Sequence, residues 1–188
     1  MEMNIKSLLN ISLGLNSKAE ALGSYKLVQA KDFTIEYAWD CDEMATARED
    51  LIRDQHILKR GDVLLLCKGK SFKAKCWGVD DKAVASSSYF ILRIVDKASL
   101  LPAYLMWFLN TAKTQDYLMS QSSGYTVRSI TKATVAALEI PLCSVGVQKK
   151  LVDLDRLWQE EKLLRKELIV KKEAWLEQEL FQKIKAAQ

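Results

Sequence analysis

After Gly146 the chain holds neither glycine nor proline through its last residue, Gln188. Leu, Lys, Glu, Arg and Gln dominate this stretch, and all are strong helix formers. It reads as one helix over residues 147–185. At 1.5 Å per residue, roughly 38 residues make a helix about 57 Å long. That exceeds the width expected of a globule built from the first 146 residues, so the helix is expected to project. Leu151, Leu154, Leu157, Trp158, Leu164, Leu168, Trp175, Leu176, Leu180, Phe181 and Ile184 lay an apolar stripe along it. Glu161, Lys171 and Gln178 interrupt any strict heptad, so an amphipathic helix that pairs is expected rather than a long regular coiled coil. Two copies pairing antiparallel about a two-fold axis would cover the stripe, and folding back along the globule is the alternative.

Residues 1–146 have a different character. All seven glycines lie there, six of them before Pro141, and the apolar runs are short. Strands are expected at residues 25–29, 62–67, 76–79, 88–94 and 136–140. The continuous apolar run at 62–67 suits a strand buried on both faces. Pro102 is placed to open a helix over 103–119, and a further helix is expected over 4–13 from Ile5, Leu8, Leu9 and Leu13. Strands and helices do not alternate regularly, so the fold class is α+β, a mixed globule over 1–146 followed by one long helix over 147–188.

Composition narrows the function. The chain has 188 residues, 49% hydrophobic and 28% charged, enough to bury a core without disulfide staples. Cys41, Cys67, Cys76 and Cys143 form no C-x-x-C pair, so reduced thiols are expected and no metal site. The N-terminus lacks an apolar signal region and no run is long enough to span a bilayer, so a cytoplasmic protein without membrane contact is expected. His56 is the single histidine, and no nucleophile elbow accompanies it. Gly69-Lys70-Ser71 resembles the end of a P-loop, but Leu64 stands where the first glycine is needed. Asp62, Lys68 and Lys70 echo a metal-dependent nuclease core, but Leu66 and Cys67 stand where the carboxylate should be. There is no G-x-G-x-x-G. No catalytic role and no cofactor are expected of this chain.

Nucleic-acid signals are stronger. The net charge is only +4, so its distribution matters more than its total. Lys68, Lys70, Ser71, Lys73 and Lys75 fall in an acid-free segment directly after the buried strand, a placement that lets lysines neutralise phosphates. Phe72 and Trp77 interleave with them. A second acid-free segment, 120–132, carries Ser122, Ser123, Tyr125, Thr126 and Arg128 around Gly124. Hydroxyl, amide and guanidinium groups donate to phosphates and base edges. An ordinary solvated turn and a serine-rich connection are the alternatives. Gln29 and Lys31 are further candidates, and residues 39–53, mixing acids with arginines, read equally as a base-contacting or a solvated stretch.

Five segments in order resemble a known family. Gly23-Ser24-Tyr25-Lys26-Leu27-Val28-Gln29-Ala30-Lys31-Asp32 resembles the opening strand and turn of a target recognition domain. Leu58-Lys59-Arg60-Gly61-Asp62-Val63-Leu64-Leu65 resembles its strand entry, and Leu101-Pro102-Ala103-Tyr104-Leu105-Met106-Trp107-Phe108-Leu109-Asn110 its P-x-Y-L-x-x-x-L helix. Residues 123–130 and Leu138-Glu139-Ile140-Pro141-Leu142 resemble the passage into I-P-L-P, with Cys143 where a second proline is common. The long helix then begins at Val147-Gln148-Lys149-Lys150-Leu151. This order is similar to the DNA-specificity (S) subunit of Type I restriction–modification enzymes. That subunit has two recognition domains and two long helices, so this chain resembles a half-length form with one of each. The resemblance implies sequence-specific binding of double-stranded DNA, pairing with itself or another specificity half to read a bipartite target, and docking of methyltransferase subunits. A restriction subunit, where present, would supply translocation and cleavage. A module that regulates assembly of a full-length S subunit, with little DNA affinity, is the alternative.

Overall fold

The computed structural model describes residues 2–17, 23–34 and 39–186. Strands and helices run in the order β1 (Glu2–Asn4), β2 (Leu9–Leu13), β3 (Tyr25–Val28), β4 (Thr46–Ala47), β5 (Val63–Leu66), β6 (Ala74–Cys76), β7 (Ala83–Ala85), β8 (Tyr89–Ile94), α1 (Pro102–Asn110), α2 (Ala112–Ser120), α3 (Lys132–Ala136), β9 (Glu139–Pro141) and α4 (Val145–Ala186). The α+β expectation, with a long C-terminal helix, holds. The chain divides into two compact units, residues 1–149 and 150–188.

In the first unit, an antiparallel four-stranded sheet is ordered β2-β8-β5-β6. A three-stranded sheet, β4-β3-β7, pairs β3 parallel with β7. Between them lies a core of Val28, Leu64, Leu66, Ala83, Ala85, Tyr89 and Ile91, closed by Trp39 and Trp77. Val63 and Leu65, the alternate residues of β5, are also fully buried, and α1 packs on that strand. The expectation of a strand buried on both faces is therefore met, with a sheet on one side and a helix on the other. Truncating a side chain such as Leu65 in this layer costs about 2–5 kcal/mol.

Three expectations about local structure change. Residues 4–13 form no α-helix: Ile5–Ser7 make a single 3-10 turn and Leu9–Leu13 form a strand. Their apolar positions fit helical spacing, but Leu9 and Ile11 also alternate with Asn10, and β8 provides an edge that pairs all of Leu9–Leu13. Tertiary pairing overrides the helical reading. The helix expected over 103–119 is broken at Thr111, whose backbone is extended and whose hydroxyl caps α2 by accepting from the Thr114 N–H. Residues 132–136 form a short helix, which confines the last strand to Glu139–Pro141 beside β1.

Side-chain amides fasten the segments. Gln148 is fully buried. Its oxygen accepts from the Leu101 N–H at 3.0 Å, and its nitrogen donates to the carbonyls of Ser99 at 2.8 Å and Cys143 at 2.9 Å. It thereby ties the first turns of α4 to the entrance of α1, where Pro102 occupies the first turn without a side-chain cap. Orphaning a buried polar group costs about 1–3 kcal/mol. Gln148→Leu is expected to lower unfolding stability by several kcal/mol in urea titrations, and a change below about 0.5 kcal/mol would remove this role.

Candidate nucleic-acid interface

The two acid-free segments, expected as separate edges, form one surface. Ile130 donates from its N–H to the Cys67 carbonyl at 3.0 Å, and Gly69 donates to the Arg128 carbonyl at 2.9 Å. Lys68 bridges Ser129 antiparallel, and Ser129 bridges Ser123. Within the second segment the N–H groups of Ser123 and Ser129 donate reciprocally to each other's carbonyls at 2.9 and 2.8 Å, closing a loop with Tyr125 at its exposed tip. Gly124 sits at φ +106°, and a Cβ there would lie 2.3 Å from the Val127 carbonyl oxygen. Only glycine closes this loop without displacing backbone.

The lysine loop is also clamped at its exit. Asn110, at the end of α1, accepts from the Ala74 N–H at 2.9 Å and donates to its carbonyl at 2.8 Å. Gln115, on α2, accepts from the Phe72 N–H at 3.3 Å and donates to its carbonyl at 2.8 Å. These two amides stand in for a neighbouring strand along the open edge of β6. Neither was singled out by sequence reasoning, because a lone amide on a helix signals nothing until the strand it meets is known.

Other loops join this end of the sheets. The Cys67 N–H donates to the Ser88 carbonyl at 2.8 Å, the Ser86 N–H to the Val28 carbonyl at 2.8 Å, and the Tyr89 hydroxyl to the Gln29 carbonyl at 3.0 Å. Gln29 and Lys31 thus sit on a tight turn that the core residue Tyr89 tethers, with the Gln29 N–H held by Asp32 at 2.7 Å. Lys31, Lys68, Lys70, Ser123, Tyr125, Thr126 and Arg128 are exposed, and Ser71, Lys73 and Ser122 are partly so. The Ser122 hydroxyl is occupied locally, donating to the Met119 carbonyl at 2.7 Å.

Phe72 and Trp77 do not interleave with the lysines at the surface. Both are buried, and Trp77 packs against Trp39 with ring centroids 5.6 Å apart. Five residues apart, they fall on opposite faces of the strand, and both faces are covered: Trp77 joins the core between the sheets, and α1 packs against β6. In residues 39–53, Trp39 and Met44 belong to the same core, and Arg48 pairs with Asp50 at 2.6 Å on the surface.

Lys75 differs from the other lysines. Its ammonium lies 4.2 Å from the Trp39 ring centre and donates to the Thr34 carbonyl at 2.7 Å. Burial lowers its pKa to about 8. It acts as a packed strut beside the patch. Burial also raises the thiols of Cys67 to about 11 and Cys76 to about 12, so both stay protonated near neutral pH. His56 is held below its usual pKa by burial and by Arg53, and its Nδ1 accepts from the Arg53 N–H at 3.2 Å. Among the described residues no cluster of His, Cys, Asp or Glu could hold a metal ion, and no helix is long and apolar enough to cross a membrane.

The depressed Lys75 pKa sets a sign for its pH dependence. Between about 8 and the ordinary lysine value the unfolded chain holds the proton that the folded chain has released, so this residue's contribution to stability rises with pH. The stability of the wild type relative to Lys75→Met is expected to grow as pH is raised from about 8 towards 10 in urea titrations, and a constant difference would show that Lys75 is not held this way.

No protein-family profile matches the sequence, and no curated protein matches it. Solved structures do. The S subunit of a Type I restriction–modification system from M. genitalium superposes with a TM-score of 0.60 at 15% identity, covering 85% of this chain and 39% of that one. The HsdS subunit from Thermoanaerobacter tengcongensis gives a TM-score of 0.60 at 19% identity, covering 88% and 39%. A chain from a structural study of complex assembly and conformational transition of the type I R-M system gives 0.56 at 22% identity, covering 87% and 39%. With under two-fifths of each relative's length matched, the chain has the fold of part of a Type I restriction–modification S subunit.

Proposed function

We propose that this chain is a half-length DNA-specificity subunit of a Type I restriction–modification system. One observation carries the reading. The tertiary fold joins residues 67–73 to residues 120–130 through the Lys68–Ser129 bridge, making one surface from two segments that contain no acid. Lys68, Lys70 and Lys73 supply charge for backbone phosphates. Arg128, Ser123, Tyr125 and Thr126, on the glycine-closed loop, supply donors and a ring for reading base edges. Gln29 and Lys31 extend the surface. The likeness to S subunits supports the same reading.

The long helix supplies the second half of the proposal. Leu154, Leu157, Trp158, Leu164, Leu168, Trp175, Leu176 and Leu180 are exposed in the single chain, and Leu151 is partly so. Its intrahelical ion pairs, Arg156–Glu160 at 2.7 Å and Glu161–Arg165 at 2.6 Å, contribute about 0.3–0.5 kcal/mol each. Burying a single leucine contributes about 1.5–3 kcal/mol, so association dominates the helix's energetics. Leu168, Ile169 and Val170 are consecutive and all exposed. At 3.6 residues per turn they spread over about 200° of the circumference, more than one narrow seam covers. We assign one part of this surface to a second specificity half, paired antiparallel, and the remainder to methyltransferase subunits. The pair would hold two recognition domains a fixed distance apart, and a homodimer would read a palindromic bipartite target.

Two measurements test this. Changing Lys68, Lys70 and Lys73 together to Ala is expected to weaken binding to all duplexes and to make the plot of log affinity against log salt shallower by up to about 2.7, at 0.9 per phosphate contact. Unchanged binding would remove the loop from the interface. Sedimentation of the whole chain at micromolar concentration is expected to show a dimer that Leu164→Glu with Leu168→Glu dissociates. A wild-type chain that sediments as a stable monomer would overturn self-pairing.

A further inference from the structure

A second basic feature lies outside the loop patch. A groove of about 500 Å³ runs beside the outer edge of β2 in the four-stranded sheet, lined among others by Lys6, Asn10, Ser12, Gln55, Arg93 and Lys132. None of its lining residues is acidic. Arg93 is braced: its Nε and Nη2 donate to the Asp62 carboxylate at 2.8 and 2.6 Å, and Nη2 also reaches the Ile57 carbonyl at 2.8 Å. Asp62, almost fully buried, neutralises that guanidinium, so Arg93 contributes a fixed donor and little net charge. The net positive charge comes from Lys6 and Lys132, both exposed. Asn10, Ser12 and Gln55 add neutral polar groups.

Two features connect the groove to the patch. Lys132 ends the acid-free segment that begins at Ser120 and crosses the lysine loop at Ser129, so one stretch of chain serves both. Arg93 lies four residues along β8 from Tyr89, which follows the Ser88 carbonyl hydrogen-bonded to Cys67. At about 3.3 Å per residue, the groove lies about 13 Å along the strand from the loops. The two phosphate rows bordering a B-DNA major groove, about 12 Å wide, are separated by a similar distance.

We infer that this groove is a second backbone-phosphate site, gripping phosphodiesters on the far wall of the DNA groove whose bases face the loop patch. It rests on the DNA-binding reading above and extends it from one phosphate row to two. It carries no sequence information, so it adds affinity equally for every duplex.

The test is a salt titration of DNA affinity, followed by fluorescence anisotropy on several unrelated mixed-sequence duplexes. Lys6→Gln with Lys132→Gln is expected to make the slope of log affinity against log salt shallower by about 1.8, uniformly across the duplexes. Lys6→Arg with Lys132→Arg should keep the wild-type slope. Both lysines are exposed, so thermal melting of either variant should match the wild type. If the glutamine variant keeps the wild-type slope while the Lys68, Lys70 and Lys73 variant loses affinity, the groove is not a phosphate site and the patch reading stands. If the wild type binds no duplex, both readings fall.

Discussion

Amide side chains that replace missing backbone partners hold this fold together. A strand at the edge of a sheet and a chain entering a helix both leave N–H and C=O groups without partners. Asn110 and Gln115 each give one donor and one acceptor to the open edge of β6, and Gln148 serves three backbone groups between α1 and α4. A neutral amide satisfies both polarities without the desolvation cost of a buried charge. Without Asn110 and Gln115, the exit of the lysine loop would lose the contacts that hold it against α1 and α2.

The candidate interface follows from that constraint. Its loops lack regular structure, yet each is tied at its base to a buried strand: residues 68–73 to β5 and β6, residues 86–88 to β7 and β8, and residues 29–32 to β3. Under the proposed function, the donors on these loops need fixed positions while their side chains stay wet. The fold meets both needs by placing the bases of the loops on the sheets and the tips in solvent. Lys75 shows the opposite outcome. A lysine two residues from Lys73 lies over Trp39 and stiffens the loop's return strand.

The helix obeys a different balance. Its surface ion pairs are worth tenths of a kcal/mol, whereas each exposed leucine or tryptophan offers several times more on burial. A sequence under selection only for solubility would not keep Leu154, Trp158, Leu164 and Trp175 exposed. The breadth of the apolar surface around Leu168, Ile169 and Val170 fits contact with more than one neighbour.

Some features were legible in the sequence because they depend on local chemistry. The absence of glycine and proline after residue 146 and the density of helix formers specified α4, which starts at Val145. The unbroken apolar run ending at Cys67 specified a strand covered on both faces. The acid-free segments, the charge of their lysines and the glycine of the tight loop could also be read directly. Tertiary structure decided what depends on partners distant in the chain. Residues 9–13 became a strand because β8 offered an edge, and the helix over 103–119 broke at Thr111, where a new cap begins α2. Phe72 and Trp77 are buried because both faces of β6 are covered, one by the core between the sheets and the other by α1. The joining of Lys68 to Ser129 was beyond sequence reading, since sixty-one positions separate them and a bridge between backbones leaves no mark on side-chain type.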